Sequence, residues 1–361
     1  MPKKSVNVLV TSSVGEENTR YIANLSPRIN LKDASDLVRA ELSGDSSSKV
    51  KLDALLAEAE VIYGCWVSRP GSDLPLNLIA RTPHLKWIHS QSDGVDSFLV
   101  SEEATVTLNT AILNSRVIVT NASGTHTTAM AELVLENMLQ LAKRAPDRYR
   151  WQQEKKWVPF FPALLRNKTV GILGTGYGRE VARLAKAFGM RVMAIRRTAK
   201  AGDRMLNVDV LLPPEQLPHL LAESDYVVIL IPLTPETFKM FGENEFRAMK
   251  STAYLINVAR GNIVNETALI RALEENWIAG AGLDVFSEEP LPPDHKLWEL
   301  PNVIYSAHVG GDWEGNIELL RKITAQFGTN LVRYLDGKPL YNVVNKRKAY
   351  QTSGPQFREH F

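Results

Sequence analysis

The sequence has almost no cysteine and no excess of charge of either sign. A single cysteine, Cys65, stands among 361 residues, so no disulfide can form within the chain and metal sites built from paired cysteines are excluded. We therefore expect a reducing compartment and interpret the protein as cytoplasmic. Lys and Arg total 42 against 40 Asp and Glu, a formal net charge of +2. This balance excludes the basic footprint of a nucleic-acid-binding protein and the acidic composition of a disordered one.

Long hydrophobic runs are also lacking. The longest, Tyr226 to Ile231, is far too short to cross a bilayer. Lys3 and Lys4 precede an apolar run, Val6 to Val10, that is too short for the core of a signal peptide. We therefore expect neither a membrane nor a nucleic acid as a partner. The scattered Asp and Glu show no spacing typical of metal ligands, so we also expect no metal.

Short β-branched runs alternate with amphipathic segments along the chain, which is typical of parallel strands connected by helices. A length of 361 residues predicts two domains at roughly 150 residues each. We predict an α/β protein with two doubly wound parallel sheets, Rossmann-like or flavodoxin-like, and a ligand cleft between them. We predict that one domain, 119–312, is inserted into a discontinuous domain made of 1–118 and 313–345. Residues 346–361 are predicted to form a solvated tail. The strands predicted in the inserted domain are Val170–Gly174, Arg191–Arg197, Tyr226–Ile231, Ala253–Val258, Gly282–Phe286 and Val303–Ser306.

A glycine-rich turn follows the first of these strands. Gly174 makes the turn, Gly176 lets the backbone approach a pyrophosphate, and a following helix supplies free amides and partial positive charge. We therefore predict a dinucleotide site that includes Tyr177 and Gly178, and 119–312 becomes the dinucleotide-binding domain. The turn is one residue shorter than the Gly-x-Gly-x-x-Gly fingerprint. Either it tightens and Gly178 keeps the close contact between helix and strand, or the register shifts and phosphate binding weakens.

The strand after the glycine turn ends in Ile195-Arg196-Arg197-Thr198. At this point an NAD enzyme would place a carboxylate that accepts a hydrogen bond from the ribose 2′-hydroxyl. Two guanidinium groups and the hydroxyl of Thr198 suit a 2′-phosphate instead, because Arg binds phosphate through charge-assisted bidentate contacts. We therefore predict that NADP(H) is preferred over NAD(H). The alternative is that Arg196 and Arg197 are merely exposed arginines after a strand.

Arg260, Glu289 and His308 each lie at or near the end of a later predicted strand. Because the carboxyl ends of strands in an open α/β sheet border the ligand crevice, we expect these three side chains to converge there. Reduction of a 2-oxo acid needs such a set: a cation for the substrate carboxylate and carbonyl oxygen, a proton donor, and an anion that keeps the donor protonated. The sequence therefore predicts hydride transfer from NAD(P)H to C2 of a small 2-oxo acid, with His308 as the proton donor.

Several ordered motifs, which span roughly residues 50–345, resemble those of the D-isomer-specific 2-hydroxyacid dehydrogenases. The chain is similar to the glyoxylate and hydroxypyruvate reductases and the phosphoglycerate dehydrogenases of this kind. The motifs are the glycine turn at 174–178, Leu230-Ile231-Pro232-Leu233-Thr234-Pro235-Glu236-Thr237, the segment around Arg260, the segment Asp284 to Pro290, and His308-Val309-Gly310-Gly311. The resemblance implies that His308 is the acid/base, Glu289 its carboxylate partner and Arg260 the substrate-binding cation. It also implies a homodimer.

The resemblance assigns further residues around the two ligands. Asp284 matches the position that contacts the nicotinamide carboxamide. The other matched cofactor positions are Ile231, Pro232, Val258, Ala259 and Gly310. In the discontinuous domain, Ser92-Asp93-Gly94-Val95-Asp96 matches a loop whose amides receive the substrate carboxylate, which is an anion nest in physical terms. Asp93, Gly94 and Val95 are therefore the substrate-binding candidates there.

Two residues depart from the family pattern besides the short glycine turn. Ala307 replaces the usual Pro before the histidine, and Asp93 adds a negative charge beside a site meant for an anion. Asp93 either shapes substrate choice or points outward. The short turn also leaves open a different function, that of a cofactor-sensing, non-catalytic interaction protein like the family's corepressor branch. Against this stand the intact Arg260, Glu289 and His308, which a binding module does not need to keep together.

Overall fold

The computed structural model describes residues 5–64, 78–95, 111–200, 202–311 and 316–347. Cys65, Asp96 and residues 348–361 of the predicted tail lie outside the described residues. The chain divides into two compact units: unit 1 contains residues 1–126 and 313–361, and unit 2 contains residues 127–312.

Unit 1 is a parallel sheet with helices. Its described elements are β1 (Val6–Val10), α1 (Gly15–Asn24), β2 (Ile29–Asp33), α2 (Ser35–Leu42), α3 (Ser46–Glu58), β3 (Val61–Tyr63), α4 (Leu78–Arg81), β4 (Trp87–His89) and β5 (Ile118–Thr120), with a helix at Ile317–Leu335 labelled α11 below. The strand order among the described residues is β2-β1-β3-β4-β5. The chain leaves β1 first toward one edge and then toward the other, so the sheet is doubly wound.

Unit 2 is built on the same plan. Its elements are α5 (Thr127–Ala142), α6 (Ala145–Gln153), β6 (Thr169–Leu173), α7 (Thr175–Ala187), β7 (Arg191–Ile195), β8 (Val210–Leu212), α8 (Leu217–Glu223), β9 (Tyr226–Ile229), α9 (Glu243–Ala248), β10 (Tyr254–Asn257), α10 (Glu266–Glu274), β11 (Gly280–Leu283) and β12 (Val303–Tyr305). The order of these parallel strands is β12-β11-β10-β9-β6-β7-β8, and the winding reverses between β6 and β9. The predicted α/β class with two doubly wound parallel sheets is confirmed.

Both faces of the unit 2 sheet are buried, which explains the nearly continuous apolar runs of its strands. Along β9, Val227 and Ile229 pack into a core cluster on one face, and Tyr226 and Val228 pack into a second cluster on the other. Because successive side chains in a strand point to opposite faces, each run supplies both clusters at once. Two further clusters bury the two faces of the unit 1 sheet. The rigid sheet of unit 2 fixes where its strand-end loops begin.

Some predicted boundaries differ from the observed ones. β11 ends at Leu283, whereas the predicted strand extended to Phe286, so Asp284 to Phe286 belong to a loop. The compact units change over after His126 instead of at residue 118, because Ile118–Thr120 pairs with β4 in the unit 1 sheet. At the start of the predicted tail, the Lys346 ammonium donates to the carbonyl oxygens of Ile112 and Ser115 at 2.7 and 2.6 Å, so the chain is fixed to unit 1 there.

Candidate active site

An imidazole and a carboxylate meet beyond the carboxyl ends of β11 and β12. Nδ1 of His308 lies 2.7 Å from Oε2 of Glu289, although 19 residues separate them. The other oxygen of Glu289 accepts the amide N–H of Phe286 at 2.9 Å, which fixes the carboxylate. Because Nδ1 faces Glu289, the Nε2 side of the ring is the side that can serve a ligand. The structure therefore brings together His308 and Glu289, which the sequence analysis paired.

The turn that carries His308 is organised by the buried side chain of Asp284. Its Oδ1 accepts the Ser306 hydroxyl at 2.6 Å and the Val309 amide at 2.9 Å, while Oδ2 accepts the Gly310 amide at 2.9 Å. The His308 amide donates to the carbonyl oxygen of Asp284 at 2.8 Å. His308 itself has a φ of 54°, a left-handed conformation that is uncommon for residues other than glycine and concentrates at functional sites. Asp284 thus holds in place the backbone that presents the imidazole.

Arg260 lies three residues beyond the end of β10, next to Gly261, which packs against Phe286. Asn257, the last residue of β10, shapes this segment, since its side chain accepts the Ala259 amide at 3.1 Å and donates to the Arg260 carbonyl at 3.0 Å. A Cβ at Gly261 would overlap the Phe286 carbonyl, so only glycine permits this close approach. Asn257 and Ser306 were not predicted from the sequence. The available signals were an Asn at the end of a strand and a Ser two residues before the histidine.

The charges around Glu289 favour its ionised form. Burial raises the pKa of the Glu289 carboxyl, but the hydrogen bond and charge of His308, the Phe286 amide and the charge of Arg260 outweigh burial and lower it below its ordinary value. The carboxylate is therefore ionised at neutral pH and can stabilise a positive charge on the neighbouring imidazole. The charges of His308 and Arg260 thus both act on the Glu289 carboxylate.

The glycine turn lies where the winding of the sheet reverses, at the end of β6. α7 begins at Thr175, immediately after Gly174, whose φ is 101°. A Cβ on Gly178 would lie 2.6 Å from Cγ2 of Ile172, so the close contact between helix and strand is kept. This contact is the one expected if the shortened turn tightens.

The same turn fits the phosphates of a dinucleotide. A Cβ on Gly176 would meet no atom within 4 Å, so open space borders the first turn of α7. No side chain caps this helix, and none of the hydrogen bonds among the described residues uses the amides of Thr175 or Gly176. These amides and the helix dipole together form an anion-binding end. Tyr177, the third residue of α7, lies in the same turn.

The Arg196-Arg197-Thr198 segment follows β7 directly, and the side chains of Arg197 and Thr198 are exposed. The structure adds an acid that the sequence analysis did not consider: Asp203, whose carboxylate accepts from the Arg196 guanidinium at 2.7 Å and from the Lys200 amide at 3.1 Å. Both members of the Arg196–Asp203 pair are about one-third exposed, at 35% and 36%. The strand end is therefore less cationic than its sequence indicates.

The remaining cofactor candidates lie at the ends of neighbouring strands in unit 2. Ile231 and Pro232 follow β9, and a Cβ on Gly174 would lie 3.1 Å from Cγ2 of Ile231, so the loop after β9 borders the glycine turn. Val258 and Ala259 follow β10 and are buried. Gly310, through its amide bond to Asp284, closes the His308 turn.

The predicted substrate loop follows β4 in unit 1. Ser92, Asp93 and Gly94 are half-buried and Val95 is buried, whereas Asp96 lies outside the described residues. None of the hydrogen bonds among the described residues uses the amides of Asp93, Gly94 or Val95. The loop is fixed to the segment after β5, because the Ala122 amide donates to the Ser92 carbonyl at 3.1 Å. Free amides on a fixed loop are what an anion nest requires.

Histidines other than His308 also have defined environments. Burial lowers the pKa of His89 to about 3. Nε2 of His295 lies 3.2 Å from the Glu266 carboxylate, so unit 2 contains a second imidazole–carboxylate pair that the sequence analysis did not anticipate.

Within the described ranges, no group of three or more His, Cys, Asp or Glu side chains could hold a metal ion. The helices within these ranges are all too short or too polar to span a bilayer.

A doubly wound sheet with a glycine turn at its reversal point and a histidine–glutamate pair at neighbouring strand ends defines a nicotinamide-dinucleotide oxidoreductase. Residues 135–310 match the family described as D-isomer specific 2-hydroxyacid dehydrogenase, NAD binding domain. The chain belongs to the D-isomer specific 2-hydroxyacid dehydrogenase family, as the resemblance implied. It is an NAD(P)-dependent enzyme that transfers a hydride between the cofactor and C2 of a small 2-oxo acid.

Individual relatives support this assignment. The chain is 37% identical over 289 residues to a glyoxylate reductase of Thermococcus gammatolerans, covering 77% of this chain and 81% of the relative. It is 32% identical over 341 residues to a glyoxylate reductase of Pyrococcus horikoshii, covering 90% and 95%. A D-isomer specific 2-hydroxyacid dehydrogenase from Xanthobacter autotrophicus Py2, solved in complex with NADPH and MES, superposes with a TM-score of 0.75 at 30% identity, covering 96% of this chain and all of that one (100%). These relatives give no support to the non-catalytic alternative.

Proposed function

We propose that His308 is the acid/base of this reductase, Glu289 its charge partner and Arg260 the cation that binds the substrate. The observation that carries the proposal is the 2.7 Å contact between Nδ1 of His308 and Oε2 of Glu289. A bound nicotinamide supplies the hydride for C2 of the substrate. In the reductive direction, His308 donates a proton from Nε2 to the developing alkoxide, and the Glu289 carboxylate stabilises the imidazolium before transfer. Arg260 offsets the negative charge on the substrate.

Glyoxylate is the first substrate to test, since the relatives named above are glyoxylate reductases. A screen of glyoxylate, hydroxypyruvate, pyruvate and phenylpyruvate with NADPH and NADH, followed at 340 nm, measures the activity directly. His308→Ala should reduce kcat by about 10²- to 10⁴-fold while NADPH still binds in a fluorescence titration. Near-normal turnover in that variant would contradict the assignment of His308.

Unit 1 contributes substrate binding in this proposal, and unit 2 is the dinucleotide-binding domain. The amides of Asp93, Gly94 and Val95 receive the substrate carboxylate, which their lack of partners among the described residues supports. The cofactor contacts are those predicted from the sequence: the amides of the glycine turn from Gly174 to Gly178, the backbone beside Ile231, Pro232, Val258 and Ala259, and Asp284 with Gly310 near the nicotinamide carboxamide. Asp284 already accepts three hydrogen bonds from the protein, which leaves acceptor capacity for a carboxamide N–H.

NADPH is the proposed preferred cofactor. Arg196, Arg197 and Thr198 are placed directly after β7, and the related Xanthobacter enzyme was solved with NADPH. Asp203 works against this preference because it partly neutralises Arg196. The double variant R196A/R197A should therefore lose at least about tenfold in kcat/KM with NADPH and little with NADH. Equal losses with both cofactors would refute a 2′-phosphate site.

A homodimer is proposed from an exposed apolar segment of unit 2 that follows α6. Trp157 is 95% exposed, and Phe161 and Leu164 are also exposed. The segment is nonetheless held in place, since the Trp151 and Phe160 rings pack 5.6 Å apart under the Arg144 guanidinium. Large ordered apolar side chains in solvent mark an association surface. W157S/F161S should sediment as a monomer, whereas L206S, which removes another exposed leucine of unit 2, should leave the dimer intact.

The expected cytoplasmic location and the absence of membrane and nucleic-acid partners remain part of this proposal. The balance of 42 basic and 40 acidic residues and the single cysteine support it. Cell fractionation, and a gel-shift assay with double-stranded DNA and with RNA, would test both expectations.

A further inference from the structure

The half-buried side chain of Asp93 lies beside Asn121, in the segment after β5. The side chain of Asn121 donates to the Asp93 carbonyl at 2.5 Å and lies 3.5 Å from its carboxylate oxygen Oδ1. The charge of Asp93 also reaches the buried ring of His126, where burial lowers the pKa of the imidazole while Asp93 and the Ala122 carbonyl raise it. Both observations place the Asp93 carboxylate against the segment after β5. The alternative in which Asp93 merely faces solvent is therefore not the observed one.

The segment beside Asp93 is fixed by the side chain of Asn342. The Asn121 carbonyl accepts from Asn342 at 3.4 Å, and the same Asn342 side chain donates to the Ser123 carbonyl at 2.7 Å. Asn342 is itself buried, so its side chain fixes residues 121–123, beside which Asp93 lies. The Asp93 carboxylate therefore lies beside a fixed segment of the chain, and its charge acts on a ligand that occupies the loop.

No Lys or Arg within the described ranges forms an ion pair with the Asp93 carboxylate. Of the ion pairs formed by the described residues, none includes Asp93, and the Asn121 contact at 3.5 Å is longer than a normal hydrogen bond. The amides of Gly94 and Val95, the next residues along the chain, are free among the described residues, so this loop presents donors for one anion beside a fixed negative charge. An uncompensated charge about 5 Å away in a medium of effective dielectric about 20 changes binding by tenfold or more.

We propose that Asp93 determines the charge of the substrate side chain that this enzyme accepts. The substrates favoured are 2-oxo acids with one carboxylate and a positively charged or hydrogen-bond-donating substituent, and those disfavoured carry a second anionic group. The inference rests on the proposed role of the loop in substrate binding. It follows from the loop geometry: the amides bind the one carboxylate every substrate shares, and Asp93 then attracts or repels the rest of the molecule.

The test compares three substrates that differ in side-chain charge: pyruvate, oxaloacetate with its second carboxylate, and 5-guanidino-2-oxopentanoate with its guanidinium. For each, kcat/KM is measured with NADPH in the wild-type enzyme, D93N, D93A and the control D36N, which removes an exposed carboxylate of unit 1 that is 92% exposed. In D93N and D93A, the ratio of kcat/KM for oxaloacetate to that for pyruvate should rise at least about tenfold, and the ratio for the guanidino acid to pyruvate should fall by a similar factor. D36N should keep both wild-type ratios.

Unchanged ratios in D93N and D93A, with glyoxylate or pyruvate still reduced, would overturn the role of Asp93 and leave the proposed reductase function standing. Absence of turnover with every 2-oxo acid in the wild-type enzyme, despite bound NADPH, would overturn the proposed function and this inference with it. The two variants guard against a folding defect, because D93N keeps the shape of the side chain and D93A removes it. The melting temperatures of both are compared with that of the wild type.

Discussion

The buried carboxylate of Asp284 and the hydroxyl of Ser306 are joined by a hydrogen bond of 2.6 Å across the ends of β11 and β12. The same carboxylate accepts the amides of Val309 and Gly310. A single side chain thus ties together the residues on both sides of His308, and the position of the imidazole depends on it.

Replacing Asp284 tests this dependence. Asn in its place has one acceptor oxygen instead of two. Its amide N–H₂ would face a backbone N–H, and that buried donor would lose its partner. The loss should lower the free energy of unfolding by about 1–3 kcal/mol. We expect D284N to lower kcat at least about 100-fold. S306A, which removes one donor, should cost only about 1 kcal/mol in unfolding free energy and a few-fold in kcat. A D284N enzyme more active than S306A would contradict this account of the turn.

The two imidazole–carboxylate pairs of unit 2 provide a matched comparison. E289Q removes the charge that stabilises an imidazolium at His308, so kcat for reduction should fall about 100-fold at pH 7. H295Q breaks the other pair, in which His295 faces Glu266 at 3.2 Å, and should change kcat by less than about threefold. Steady-state kinetics at saturating NADPH measure both. Similar losses of kcat in the two variants would contradict a specific role of Glu289 in the reaction.

Two alanine substitutions in the glycine turn separate cofactor binding from folding. At Gly176 a Cβ meets open space, so G176A should fold normally but weaken NADPH binding at least about tenfold by obstructing the phosphates. At Gly178 the Cβ would lie 2.6 Å from Ile172, and G178A should lose about 1–3 kcal/mol of stability through overpacking. Isothermal titration with NADPH and urea unfolding distinguish the effects. A stability loss confined to G176A would reverse the assignment.

The burial of His89 predicts that the free energy of unfolding falls as the pH is lowered. Folded His89 binds a proton only near its pKa of about 3, whereas an unfolded histidine does so near 6.5. Between these values the unfolded state holds more protons, so stability rises with pH across that window. From pH 7.5 to 5, His89 alone should reduce the free energy of unfolding by about 2 kcal/mol.

Urea unfolding at the two pH values measures the effect of His89. H89Q should remove that part of the slope, and H84Q, which replaces an exposed histidine of the same unit, should retain it. If H89Q and wild type lose equal stability between pH 7.5 and 5, the acid sensitivity has another source.

The sequence by itself determined the class of the fold and the identity of the chemical groups. Apolar runs such as Tyr226–Ile229 predict strands buried on both faces, and the glycine turn at 174–178 identifies the helix end that meets a dinucleotide. These signals are local, because neighbouring residues in the sequence determine strand burial and turn conformation. Arg260, Glu289 and His308 could be named for the same reason, as each stands in a motif at or near a strand end.

Only the tertiary structure decided how those groups are held and how their charges combine. No local pattern shows that Asp284 supports the turn of His308, that Asp203 neutralises part of Arg196, or that the Asp93 carboxylate lies beside Asn121. Each of these contacts joins residues that are separated along the chain and are brought within hydrogen-bond distance by folding. Hydrogen bonds and charges act over a few ångströms of space, so folding fixes the environment of groups that the sequence can only name.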